Sequence, residues 1–161
     1  MQHAYRKMWL AATAALALAG AAGCGNAETP PSVPMNLVGY NHMADGIADF
    51  DVQFKGGQKA GGGFLDAGSG GGAMICCVSV PEKWRPGLVA HVDAEVYRKS
   101  GEKYTISKDV PLPEYKAEQA GHLSVHFLRS GEVKLFVTRY ALWHPDYPLK
   151  GRDAELKPGA P

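Results

Sequence analysis

Between Leu88 and Tyr97 the chain reads LVAHVDAEVY, and every second residue is apolar: Leu88, Ala90, Val92, Ala94 and Val96. A period of two puts that set on one face of an extended strand and leaves His91, Asp93 and Glu95 on the other. The pattern returns in IADFDVQF (47–54), with Phe50, Val52 and Phe54 opposite Asp49, Asp51 and Gln53. A third instance, HLSVHFLRSGEVKLFVTRY (122–140), folds back as a β-hairpin with Arg129-Ser130-Gly131-Glu132 at or near its turn. Leu123, Val125 and Phe127 then share a core with Val133, Leu135 and Val137. MNLVGYNH (35–42), AMICCVSV (73–80) and KYTISKDV (103–110) are further strand candidates. Twenty glycines and eleven prolines interrupt the chain too often for long helices. LPEYKAEQAG (112–121) offers one helical turn or two. The chain reads as mainly β: an antiparallel β-sandwich or partly open barrel of about 6–8 strands, with at most one short helix.

The N-terminus sets the compartment. Arg6 and Lys7 precede the uncharged MWLAATAALALAGAAG (Met8 to Gly23), the layout of a secretory signal peptide. Ala21, Ala22 and Gly23 directly before Cys24 resemble a bacterial lipobox. The resemblance implies cleavage before Cys24 and lipidation of its thiol and new amino group. Ordinary cleavage near Ala22 or Ala27 would leave Cys24 free. Gly25, where an aspartate would direct retention at the inner membrane, implies the periplasmic face of the outer membrane. Acyl chains supply membrane affinity at about 0.8 kcal/mol per buried methylene, so the folded part needs no spanning helix. The organisation expected is a signal peptide (1–23), a lipidated tether (24–34), a β domain (35–150) and a flexible C-terminal tail (151–161).

Cys24 to Pro161 leaves 138 residues, one domain with room for a real core. Loss of Arg6 and Lys7 turns the formal charge of +1 into −1. That balance carries no footprint for nucleic acid and no broad attraction to anionic lipid, so membrane contact is expected through the anchor only. Residues 56–72, GGQKAGGGFLDAGSGGG, hold nine glycines in seventeen positions. Such a stretch is either a plain mobile loop between strands or a binding loop. It is no nucleotide-phosphate cradle, because no Lys-Ser/Thr follows and a strand comes next.

Catalytic signatures are missing from the residues. There is no Gly-x-Ser-x-Gly elbow, and no catalytic residue is assigned. His91 with Asp93, or His122 with His126, would hold a metal only if the fold added a third ligand; exposed strand histidines are the plainer account, so neither metal nor cofactor is expected. With Cys24 taken by lipid, Cys76 and Cys77 remain, adjacent and in an oxidising compartment. Met74, Ile75 and Val78 around them make both strand faces apolar, which suits buried thiols; a vicinal disulfide is the other reading. In either form they are expected to brace a central strand and the turn after it.

Tyr40-Asn41-His42, Cys76-Cys77 with Pro81, the Trp84-Arg85-Pro86-Gly87 turn and the late His144-Pro145 to Tyr147-Pro148 segment form a set. Together they resemble a domain-of-unknown-function family of small proteobacterial lipoproteins, similar to type VI secretion lipase immunity lipoproteins. The resemblance implies a non-enzymatic, periplasm-facing protein whose partner is a cognate secreted antibacterial phospholipase. Candidate contact residues are Phe64, Leu65 and Asp66 in the glycine-rich loop and Arg85 in the turn, while Trp84 is expected to pack on the core. A structural or assembly lipoprotein without a toxin partner is the alternative, and a metal-dependent enzyme the third.

Overall fold

The alternating runs become strands in the computed structural model, which describes residues 31–72 and 74–156. The signal peptide, Cys24 and most of the tether lie outside the described residues, as does the end of the tail. Eight strands follow one another: β1 (Ser32–Asn41), β2 (Gly46–Phe54), β3 (Ala60–Gly62), β4 (Ile75–Pro81), β5 (Val89–Tyr97), β6 (Lys103–Pro111), β7 (His122–Phe127) and β8 (Val133–Thr138). The only helical pieces among the described residues are two 3-10 turns, Ala117–Gln119 and Gly151–Ala154.

The strands form two four-stranded sheets, β4-β1-β7-β8 and β3-β2-β5-β6, packed as an open sandwich. Pairing is antiparallel throughout except between β1 and β7, which run parallel with Leu37 opposite Leu123 and Tyr40 opposite His126. The alternating sets meet as read: Phe50, Val52 and Phe54 with Ala90, Val92, Ala94 and Val96 from one sheet, and Leu123, Val125, Phe127, Val133, Leu135 and Val137 from the other. The β7–β8 turn closes through Leu128 N–H to Glu132 O (2.8 Å), with Gly131 at φ +79°, a conformation that favours glycine. Trp84 packs against the core and donates its Nε1–H to Leu112 O at 2.8 Å.

Two features depart from the sequence reading. The cysteine-bearing β4 is an edge strand rather than a central one, because β1 lies inside it and β7 follows β1. The glycine-rich stretch is no free loop. It contains β3 against β2, a bridge from Ile47 to Leu65 and another from Tyr40 to Gly70.

The chain does not stop at β8. Residues 140–156 return across the outer face of the first sheet, where Leu142, Tyr147 and Leu149 bury against Val38, Tyr40 and Leu128 as a second apolar cluster. This strap carries ordered structure past residue 150, since Glu155 O receives a hydrogen bond from His42. No helix among the described residues is long and apolar enough to cross a membrane.

Candidate functional site

Tyr40-Asn41-His42 ends β1, and strand alternation sends its side chains to different layers. Asn41 is fully buried and turned toward the glycine-rich loop. Its amide donates to Asp45 O (2.8 Å), Asp66 O (3.1 Å) and Leu65 O (3.3 Å), and its Oδ1 accepts Met43 N–H at 3.0 Å. The backbone adds Asn41 N–H to Ser69 O at 2.7 Å and Gly71 N–H to Gly39 O at 3.0 Å. One side chain thus satisfies the carbonyls of two separate turns, which buried polar groups require.

The loop held this way walls a cavity of about 340 Å³ at the β4–β3 side of the sandwich, lined by Leu37, Gly39, Phe50, Phe64, Leu65 and Ile75 among others. Glycine is needed on its wall: a Cβ on Gly39 would sit 2.7 Å from both Leu65 and Phe50. Phe64 stands at the rim with 58% of its surface exposed, its ring stacked on Tyr97 at 5.7 Å. Met74, 65% exposed, lies just before β4 and accepts a 3.6 Å contact from Asn36 Nδ2. Next to Ile75 of the cavity wall, Cys76 and Cys77 are joined as a vicinal disulfide. Both are exposed, which corrects the buried-thiol reading. Of the apolar neighbours that suggested burial, only Val78, in the middle of β4, enters the core; Met74 is exposed, Ile75 half-buried, and the cysteines sit uncovered near the start of an edge strand. The rim is therefore apolar and sulfur-rich, with no charged side chain lining the cavity itself.

Sequence reasoning placed Phe64, Leu65, Asp66 and Arg85 together as contact residues; the fold separates them. Phe64 and Leu65 line the cavity, and Asp66 lies next to it, offering its backbone carbonyl to Asn41 and Ser69. Arg85 lines a different cavity, of about 530 Å³, at the end of the sandwich where β1 starts. Ile75 and Ser79 of β4 line the two cavities in turn, about 13 Å apart along the strand.

On the outer side of β1 lies a second constellation that the sequence did not disclose. His126, read as an exposed strand histidine, is fully buried, and so nearly is His42. The strap covers both, which strand periodicity alone does not reveal. His42 Nδ1 lies 3.1 Å from Glu155 O, His42 Nε2 lies 2.9 Å from His126 Nδ1, and His126 Nε2 lies 2.6 Å from Tyr147 Oη. A carbonyl only accepts, so His42 carries its proton on Nδ1. His42 Nε2 then accepts from His126 Nδ1–H, and His126 Nε2 accepts from the Tyr147 hydroxyl. Every member is satisfied with both imidazoles neutral. Tyr40 stacks on His126 at 4.6 Å, and Phe136 and Tyr147 meet it edge-on at 5.7 and 5.6 Å.

Burial is the main cause that holds His126 well below the ordinary histidine range; a proton on His42 and the charge of Lys134 would act in the same direction. Burial likewise lowers His42 and His122. For these groups the unfolded chain binds protons that the native state refuses, so their stabilisation is complete above about pH 6.5 and is lost as pH falls. His91 is raised by its hydrogen bond to Asp109, so its contribution has the opposite sign and fades as pH rises. Urea midpoints are expected to fall between pH 6.5 and 5, at about 1.4 kcal/mol per pH unit for the His126 proton alone. A flat midpoint across that window in a His91→Gln background would contradict the neutral state of the buried imidazoles.

The outer face of the second sheet is polar. His91 lies 2.7 Å from Asp109 and 3.1 Å from Asp93, and Ser107 donates to Asp93 at 2.7 Å. Lys59 bridges Asp51 and Asp93 at 2.9 and 3.6 Å. Among the described residues no group of three or more His, Cys, Asp and Glu side chains is placed to hold a metal ion.

Residues 40–135 match the model of a family described as a protein of unknown function (DUF3304). No curated protein matches the chain. A solved NMR structure of a protein from Eubacterium rectale aligns with 65% of this chain and 87% of its own, at 13% identity and a TM-score of 0.33.

Proposed function

The chain belongs to the DUF3304 family, and we propose that it is an envelope lipoprotein that binds and neutralises a secreted antibacterial phospholipase in the periplasm. The observation that carries this reading is the apolar rim: Phe64 and Met74 project beside a preformed cavity on the open side of a sandwich. Exposed aromatic and methionine side chains next to a pocket are what hot spots of protein interfaces are made of. Neutralisation by occlusion needs no chemistry from the inhibitor, only a rigid surface. The Asn41 hydrogen bonds supply rigidity to the loop that bears Phe64. Attachment through Cys24 would hold the inhibitor at the surface where a phospholipase finds its substrate, raising its effective concentration there. The lipobox-like sequence and the resemblance to immunity lipoproteins support that placement.

A competition assay tests it. Cells lacking this gene are expected to lose survival against kin that deliver the cognate phospholipase, and the wild-type gene to restore it. Phe64→Asp is expected to leave the protein folded and exported but to weaken the complex at least about tenfold, as removal of a hot spot does. Unchanged survival of the deletion strain overturns the proposal. Full protection by Phe64→Asp moves the contact elsewhere on the domain.

A further inference from the structure

The two ends of the sandwich are not equivalent. Pro31 O accepts Glu82 N–H at 2.9 Å, and Ser32 pairs with Pro81, so the chain enters the fold beside the turn that follows β4. The turn after β2 and the start of β5 lie at the same end, because they share one cavity with Ser32. This inference rests on the reading of Cys24 as the lipidated residue. Seven residues lead from Cys24 to Pro31, and a chain of that length reaches at most about 25 Å. The end where β1 starts is thus kept within that distance of the bilayer.

Three cations occupy that end: Lys55 in the turn after β2, and Lys83 and Arg85 in the turn after β4. All three are exposed, and none has an ion-pair partner among the described residues. Some cations elsewhere are ion-paired, Lys59 with Asp51, Arg98 with Glu102, Lys103 with Glu95 and Lys134 with Asp153, while Lys108, Arg129, Arg139 and Lys150 donate to backbone carbonyls instead. Glu82 is the acidic member of the same turn. Lys55 and Arg85 line the cavity of about 530 Å³ together with Ser32, Gly56, Gly57 and Gly87. Glycines in that wall leave backbone open to a ligand, and a guanidinium fork matches phosphate oxygens. A formal charge of −1 gives the mature chain no general pull toward anionic lipid, so what counts is where these cations stand.

We propose that this cavity is a lipid-headgroup site in which Lys55 and Arg85 receive the phosphate of an anionic phospholipid, seating the anchored domain on the membrane by the end where β1 begins. Cations close to a bilayer surface attract anionic headgroups, and each changes association about fivefold.

The test uses the protein purified from membranes, with its acylation checked by mass spectrometry, in vesicles of phosphatidylcholine alone or with one third phosphatidylglycerol. Amides of residues 55–58 and 83–88 are expected to exchange with deuterium about fivefold more slowly over phosphatidylglycerol, with no change at 63–72. Lys55→Gln combined with Arg85→Gln should erase the difference, and both positions are exposed, so the fold survives the change. Acylated protein that exchanges equally in both vesicles overturns the headgroup site and leaves the anchor standing. Protein without acyl chains overturns the anchor and this inference together. Equal slowing by inorganic phosphate over phosphatidylcholine identifies a free anion as the occupant and rejects the lipid.

Discussion

Alanine in place of His126 is expected to destabilise the domain by about 4 kcal/mol at pH 7.5, read as a drop in the urea midpoint. Truncating a buried aromatic ring costs about 3–5 kcal/mol when the cavity does not collapse. His126 is fully buried between Tyr40, His42, Phe136 and Tyr147, whose own positions are fixed by two sheet strands and the strap. The polar side of the loss adds to this. Without His126 the Tyr147 hydroxyl has no acceptor and His42 Nε2 has no donor, at about 1–3 kcal/mol for a buried group left unpaired. His126→Phe separates the two contributions. It refills the space but still leaves both neighbours unpaired, so a cost of about 2 kcal/mol is expected. A loss below about 1 kcal/mol for His126→Ala would mean that the strap does not depend on this residue.

The second large effect belongs to the loop. Gly70→Ala is expected to cost about 3 kcal/mol or to lift the loop from β1. An added Cβ would stand 2.6 Å from Gly39 O and 2.6 Å from Tyr40 Cα, both backbone atoms of a strand paired on two sides. Gly70 also has φ +154°, close to the edge of the region that side chains avoid. Overpacking of this kind costs about 1–3 kcal/mol before strain is counted. Gly72→Ala is the control: nothing lies within 4 Å of its Cβ, and a change within about 0.5 kcal/mol is expected. Equal effects at the two glycines would show that the packing of the run against Tyr40 is not what constrains it.

These two positions also mark the limits of what the sequence discloses. Strands carried by strict alternation, such as β2 and β5, were legible because one face is core and the other is solvent. β3 was not, since Ala60-Gly61-Gly62 has no side-chain pattern to read. The glycines there answer a steric demand instead: a Cβ on Gly62 would meet the Phe50 ring at 2.0 Å. Nor was the histidine network. Its signal is present in β1, where Leu37, Val38, Gly39 and Tyr40 offer no polar face, the mark of a strand covered on both sides. Finding what covers it required knowing that residues 140–156 return over the sheet, a long-range pairing with no local signature. Of the candidate site, Phe64 and Leu65 were visible as apolar residues stranded in a glycine-rich loop. Asn41, which holds that loop in shape, was visible only as part of a motif. The disulfide was one of two readings, and its exposure followed from strand order, which alternation does not encode.

One consequence of the strand order is mechanical. The chain enters the domain through β1, which lies between β4 and β7 rather than at the border of its sheet. Tension applied before Ser32 is shared by two ladders of backbone hydrogen bonds, with the β1–β7 ladder loaded along its length. An edge strand would peel one bond at a time; this one has to shear many at once. In the anchored form proposed above, a pull on the domain would therefore meet both ladders together rather than unravel the strand from one end.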